Sequence, residues 1–354
     1  MMPSHGRPTR FADRRVVLAA GLALAGAGCA PRVNRRAAPA GLDHERLARG
    51  FVDLAERARP GAFDLGVMTL DKTSVWYADG NRRFPMQGLA YGPLAAAALA
   101  EADAGRLRFN EPVRIARQDL SPPPSRINGL FAPRGAKDFV DLPVADLLSL
   151  TVEDGDDTAA DALLRRIGGP GAVTAWLRAH DIQDMRIDRY AREIQPEMSG
   201  MDSFRAAWKD PAAWTAARGS VAPGVREAAM AAYIADPRDT TTAQAVLNFL
   251  NQLVGGTLLS RPSTALLVRL MSASRIGRAP LVAGLPRGAS VAALGGMSGT
   301  DLGLTPAANA VGIVTLADGR RFAIAALIAG STATQTRRGG LIADAARLAA
   351  TALI

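Results

Sequence analysis

The chain has 354 residues, 48% of them apolar and 21% charged, which is the composition of a soluble globular protein with one large or two medium domains. Its net charge of +9 comes from 42 basic residues, of which only Lys72, Lys137 and Lys209 are lysines. No stretch concentrates these cations with interleaved aromatics, so nucleic acid is not an expected partner. Cys29 is the single cysteine, which excludes an intrachain disulfide.

Arg14 and Arg15 precede an apolar run from Val16 to Ala27. That run is too short to span a bilayer, which takes about 20 residues. A charged start, a short apolar core and small residues after it describe an export signal over residues 1–29, and the paired arginines favour the twin-arginine route. The run ends in LAGAGC, which resembles a lipoprotein cleavage box with Cys29 as the lipid-bearing residue. The alternative is plain cleavage after Ala27 or Ala30, giving a soluble periplasmic protein. Residues 30–41, rich in Ala, Pro and Arg, read as a linker.

From residue 42 the pattern is that of a folded domain. Leu47, Phe51 and Leu54 recur at helical spacing, and Pro60-Gly61 ends that helix. FDLGVMTL and SVWYADG then predict a strand hairpin. RFPMQGLAYGPLAAAALA predicts an Ala-rich helix whose start is set near Gly92-Pro93, because proline cannot donate a hydrogen bond inside a helix. Asp157-Thr158 is expected to cap TAADALLRRIGG. GAVTAWLRAH and TTTAQAVLNFLNQLVGG predict two more helices, the second with Ala243, Val246, Phe249, Leu250 and Leu253 on one face. AVGIVTL and RFAIAALIAG flank an Asp318-Gly319 turn, a strong hairpin signal, and a last helix is expected from about Arg338 to Leu353. Strands at both ends with helices between them predict that the termini share one antiparallel sheet. The cleft should lie between that sheet and a helical lobe.

Six segments in order carry a family resemblance: RFPM before the Ala-rich helix, DDTAADALLRRIGGPGAVTAWLRAH, RIDR, DPRDTTT, GMSGT and GRRFAIAALIAGST. Over residues 42–354 the chain resembles the class A serine β-lactamases, relatives of the penicillin-binding transpeptidases. The resemblance implies a mixed α/β, two-lobed fold. A five-stranded antiparallel sheet with flanking helices would come from residues 42–87 and 255–354, and an all-helical lobe from 88–254. Chemistry in that family needs a serine nucleophile and a lysine three residues on, where one helix face carries both. It also needs an S-D-N turn, a loop glutamate to activate water, and a lysine in K-[ST]-G to hold the substrate carboxylate.

Carried over position by position, these groups are missing. The nucleophile position falls on Gly88 and the lysine position on Tyr91; the S-D-N turn reads Gly155-Asp156-Asp157. The glutamate position is Ala191, and the K-[ST]-G-T strand reads Met297-Ser298-Gly299-Thr300. A shift of alignment does not rescue the site, because the residues three before the lysines are Thr69, Arg134 and Ala206, so S-x-x-K occurs nowhere. Scaffold positions remain. Asp156 matches a turn-holding residue, and Arg189 and Asp239 match an ion pair at the base of the active-site loop.

Other chemistries fare worse. There is no G-x-S-x-G elbow, and His44 and His180 are the histidines left after processing. No His/Cys cluster suits a metal, and the run Glu153-Asp154-Gly155-Asp156-Asp157 lacks the alternation of a calcium loop. No cofactor is expected. Tyr91 would be reactive only with a depressed pKa, and no matched site residue is a cation that would depress it. Residues 196–235, an extended loop carrying Met198, Met201, Phe204, Trp208 and Trp214, are expected to form a satellite core, with a lid over the cleft as the alternative.

The reading is a monomeric, exported, catalytically silent relative that binds or scaffolds in the cell envelope. Its expected ligand is small or cell-wall-derived, held through Ser298, Gly299 and Thr300. The alternative is a serine hydrolase or β-lactamase with a residual or relocated mechanism.

Overall fold

The computed structural model describes residues 41–70, 73–131 and 138–354. The expected export signal, linker and Cys29 lie outside the described residues, except that Gly41 opens them. In chain order the elements are α1 (His44–Ala58), β1 (Ala62–Thr69), β2 (Val75–Tyr77), β3 (Phe84–Pro85), α2 (Tyr91–Asp103), β4 (Pro112–Ala116) and β5 (Phe139–Pro143). Then follow α3 (Val144–Ser149), α4 (Asp157–Arg166), α5 (Pro170–Ala179), α6 (Ala191–Met198), α7 (Pro211–Gly219), α8 (Pro223–Ala235), β6 (Thr240–Thr241) and α9 (Ala243–Gly255). The chain ends with α10 (Arg261–Ala273), α11 (Arg278–Gly284), β7 (Ser290–Met297), β8 (Thr305–Thr315), β9 (Arg321–Ser331) and α12 (Gln335–Thr351).

The two terminal regions build one five-stranded antiparallel sheet in the order β2-β1-β9-β8-β7. Both expected hairpins are in it. Side-chain alternation divides β9 between two cores. Phe322, Ile324, Ala326 and Ile328 pack with residues of α1 and α12 on the outer face. Ala323, Ala325, Leu327 and Ala329 face the helical lobe. Small side chains on that inner face let α9 approach closely. A Cβ on Gly66 would lie 2.9 Å from Leu247 of α9, for example.

Helix α2 is buried from Tyr91 to Leu99 and apolar on all sides, which makes it the central helix of the lobe. It begins at Tyr91, after a 3-10 turn over Gln87–Ala90, so Pro93 sits in its first turn. Two sequence expectations are corrected. The cap of α4 is Asp156 rather than Asp157: its carboxylate accepts from the backbone N–H of Thr158 and Ala159 at 3.0 and 3.1 Å. Helix α12 starts at Gln335, three residues before the expected Arg338, because Thr334 caps it through the Arg337 N–H.

Candidate functional site

A cleft of about 280 Å³ opens between α2, the turn before α4, strand β7 and the 196–235 segment. Gly88, Tyr91, Gly155, Asp157, Met297 and Gly299 all line it. Positions far apart in sequence are thus brought to one place. Asp156 is turned away and spent on structure. Beyond its two helix-capping bonds it accepts from Ser125 Oγ at 2.8 Å and from the Arg126 N–H at 2.7 Å.

Gly155 shows how the local backbone decides the site. It ends a π turn with φ of +69°, and a Cβ there would lie 2.2 Å from Ile276 Cδ1. Both facts demand glycine. The sharp turn then delivers Asp156 to the cap and Asp157, one residue on, to the cleft. Gly88 is similarly enclosed: a Cβ would meet the Gly295 carbonyl at 3.1 Å and the Tyr91 ring at 3.4 Å. The tyrosine ring therefore packs against the space a larger residue at 88 would enter.

Tyr91 Oη donates to Asp157 Oδ1. Burial raises the Asp157 carboxyl to about 7, with the neighbouring carboxylates Asp161 and Asp156 adding to the shift and the Tyr91 and Gln195 hydrogen bonds opposing it. Burial, reinforced by Asp157, pushes the Tyr91 phenol well above its usual range. Tyr91 is therefore a neutral donor, the opposite of what a nucleophile needs. The pair sits at the cleft floor, with Tyr91 the donor and Asp157 the acceptor.

The residue before Gly88 is strained. Gln87 has φ of +50° and is held by its own side chain: Nε2 donates to Tyr233 Oη at 2.6 Å, and Oε1 accepts from Gln195 Nε2 at 3.2 Å. Gln87, Gln195 and Tyr233 were not singled out in the sequence. Gln195 lies one turn after Ala191 on α6, so helical spacing from that position was the signal for it.

Ala191 does not reach the main cleft. It lines a cavity of about 30 Å³ behind it, together with Gln87, Tyr91, Gln195, Arg189 and Asp239. Asp161 accepts the backbone N–H of Ala191 at 2.7 Å and fixes the start of α6. Arg189 and Asp239 are buried and joined, Nε to Oδ2, at 2.6 Å. The same guanidinium reaches Glu197 at 2.6 Å and Asp236 at 3.3 Å. This network ties the ends of the 186–239 segment together.

Ser298 and Thr300 depart from their expected role. Ser298 Oγ bonds both the carbonyl and the N–H of Ala307, at 3.2 and 3.0 Å. Thr300 Oγ1 pairs with Thr305 Oγ1 at 2.7 Å. The edge of strand β7 consumes both hydroxyls, and of the three residues only Gly299 lines the cleft. The 196–235 segment does more than form a satellite core. Met198, Met230 and Tyr233 do form a small separate cluster, whereas Phe204, Trp208 and Trp214, with ring centroids 5.8 to 6.2 Å apart, pack into the main core. Yet Met198, Ser199, Trp214, Arg218 and Met230 also form one wall of the cleft. Arg218 and Asp301, which line it too, gave no signal in the sequence.

Comparison with known proteins agrees with this architecture. The model of the Beta-lactamase enzyme family matches residues 31–353. The chain is 27% identical to Beta-lactamase VEB-1 of Pseudomonas aeruginosa over 293 residues, which is 82% of this chain and 85% of that protein. It is 26% identical to the extended-spectrum β-lactamase PER-1 of the same organism over 270 residues, 75% of this chain and 74% of that one. Among solved structures, a β-lactamase from Chitinophaga pinensis superimposes with a TM-score of 0.70 at 26% identity, covering 86% of this chain and 98% of that one. An ancestral class A β-lactamase gives 0.67 at 26% identity, covering 86% and 99%. A family match over nearly the whole chain, on a mixed fold with the sheet of those neighbours, places this chain in the β-lactamase enzyme family.

Proposed function

We propose that this chain is a non-acylating member of its family, exported to the cell envelope, whose cleft binds a small or cell-wall-derived ligand without opening it. The observation that carries the reading is the chemistry of the cleft floor. Gly88 has no side chain to attack a carbonyl, and Tyr91 keeps its proton. Ala191 offers no carboxylate to activate water, and Met297 presents a thioether at the strand end. Covalent catalysis needs an activated nucleophile with a base in reach, and these side chains supply neither. The enclosed cleft, with polar groups converging from several elements, has the character of a binding site. The residues at its floor are held by hydrogen bonds of Gln87, Tyr91 and Asp157, which fix the shape of the cleft.

The test is direct. Purified protein incubated with benzylpenicillin should show no acyl adduct by intact mass, and a chromogenic cephalosporin should show no turnover. Titration with β-lactams and peptidoglycan fragments should give saturable binding. A stable adduct, or no binding of any of them, overturns the reading.

One observation favours a second reading, a β-lactamase with a relocated mechanism. A carboxyl raised to about 7 in a cleft is suited to general-base work, and Asp157 is one. On that reading ring opening proceeds without a covalent adduct and disappears in Asp157→Asn. Export rests on residues 1–29, and lipidation on Cys29; mass spectrometry of the mature N-terminus distinguishes lipid-bearing Cys29 from plain cleavage.

A further inference from the structure

A second cavity lies on the other face of the sheet. It has a volume of about 420 Å³ and is bounded by the end of α1, the end of β9 and the start of α12. Its apolar side chains, Ala58, Ile328 and Leu341, belong to the outer core, and it shares no lining residue with the cleft. The rest of its lining is cationic. Arg57, Arg337 and Arg338 face it with the hydroxyl of Ser331, and among the described residues no carboxylate does. Arg57 is already paired with Asp53 and Asp344, at 3.0 and 2.6 Å. Arg337 and Arg338 have no ion-pair partner among the described residues.

Arg338 is only 6% exposed. Its Nη1 donates to the Ala333 carbonyl, its Nη2 lies 3.4 Å from Thr300 Oγ1, and its Nε is buried without a hydrogen-bond partner. A buried charge without a counter-charge is strongly unfavourable, and burial draws this guanidinium below its ordinary range. The missing charge does not come from elsewhere in the chain. Outside the described residues the only acids are Asp13 and Asp71. Asp13 falls in the expected export signal. Asp71 follows Leu70, whose N–H bonds Arg321, at the opposite end of β9 from Ser331. The start of α12 repeats the imbalance. Its first turn brings in these two arginines and no acid, although the positive end of a helix favours acids. Ser331 adds a spare donor: its Oγ accepts the Ala333 N–H at 3.2 Å, and its own proton has no acceptor among the described residues.

We propose that this cavity is a second binding site, for a phosphate group held by Arg337, Arg338 and Ser331. Two uncompensated guanidiniums call for about two negative charges. A phosphate monoester or inorganic phosphate carries about that many near neutral pH, and a carboxylate carries one. The planar fork of arginine also matches phosphate oxygens in a bidentate way. Inorganic phosphate and a monoester present the same dianion, and the apolar side of the cavity offers a surface to the organic body of a monoester. The site stands whatever the cleft binds.

The test is a titration of the purified full-length protein in phosphate-free buffer, with sodium phosphate, phenyl phosphate and sodium acetate as probes, followed by calorimetry and by thermal midpoint. Phosphate should saturate, and acetate should bind at least about 10-fold more weakly. Tighter binding of phenyl phosphate than of phosphate identifies a monoester as the occupant, and equal binding identifies free phosphate. Arg337→Ala, an exposed change, should weaken phosphate about 10-fold. Arg338→Met should abolish saturable binding and raise the midpoint measured without phosphate, because it removes a buried unpaired charge. A midpoint that falls equally with and without phosphate makes Arg338 a structural residue and overturns the proposal. Should Arg338→Met not fold, Arg337→Ala decides alone. Phosphate binding that acetate equals, or that Arg337→Ala leaves unchanged, is an adventitious ion only and overturns the proposal, as does no binding. Phosphate that displaces benzylpenicillin would lie in the cleft, which also overturns it, whereas failure of benzylpenicillin to bind counts only against the cleft reading.

Discussion

Arg189 and Asp239 line the same small cavity as Tyr91, and the pairs Arg189–Asp239 and Tyr91–Asp157 each bring a carboxyl group out of water. Around Arg189 one guanidinium faces Asp239, Asp236 and Glu197, and Asp239 also accepts the N–H groups of Asp188 and Arg189 at 2.7 and 3.1 Å. Charge is met by charge, and Asp239 accepts three hydrogen bonds, although Arg189 Nη2 is buried without a hydrogen-bond partner among the described residues. At the cleft floor Asp157 has no ion-pair partner among the described residues. Its carboxyl is relieved by holding a proton and by the Tyr91 hydroxyl. The first arrangement is rigid and intolerant of losing a partner. The second is electrically adaptable, because its charge can change near neutral pH. The difference marks which polar cluster is scaffold and which belongs to a site.

Breaking the first cluster gives the largest expected effect. Arg189→Ala strands buried Asp239 without its counter-charge and should cost about 3–5 kcal/mol, read as a fall in the denaturation midpoint. A change below about 1 kcal/mol would mean that the network is not what ties the segment. An intermediate loss is expected from Gly155→Ser. It forces a side chain into a left-handed backbone and against Ile276, and should cost about 1–3 kcal/mol by chemical denaturation. It should also displace Asp157, so cleft binding weakens with stability. Unchanged stability would show that the turn can relax.

An effect read only as a pH dependence sharpens the contrast most. The carboxyl of Asp157 is raised from 3.8 to about 7 in the folded protein. The native state therefore binds a proton that the unfolded state has released. The stability this contributes is complete below about pH 4 and is lost as pH rises to about 7. Asp157→Asn should remove that slope, so the difference between variant and parent stability should grow in the variant's favour from pH 4 to pH 8. At pH 4 the two should be nearly equal, since the parent side chain is then neutral as well. A difference that does not vary with pH would show that Asp157 titrates like an exposed carboxylate.

Much of this was legible in the chain itself. Local periodicity marks the hairpins and the face of α9, because strand and helix alternation depends on neighbours two to four residues away. The ion pair of Arg189 and Asp239 and the convergence of Gly88, Tyr91, Gly155 and Met297 followed from ordered segments. The capping role was misplaced by one residue, from Asp156 to Asp157, because both are good caps and only the turn at Gly155 decides between them. The short ribbon of β4 and β5 escaped notice, since five-residue strands with half-buried faces have weak alternation. The hydroxyls of Ser298 and Thr300 were expected to face a ligand, and instead close the β7–β8 edge.

What the sequence by itself determined is the inventory: a fold with its helices between its strands, and a floor without a serine, a lysine or a loop glutamate where such groups would act. Side-chain chemistry is set by residue type, and no packing can add an oxygen to glycine. What only the tertiary structure decided is where charge resides. Burial beside Tyr91 raises the Asp157 carboxyl to about 7, and Arg218 is brought from α7 to within 3.1 Å of Asp301 on the cleft lining. Both depend on how far each group is withdrawn from water and on which charges stand within a few ångströms, quantities that spacing along the chain does not contain.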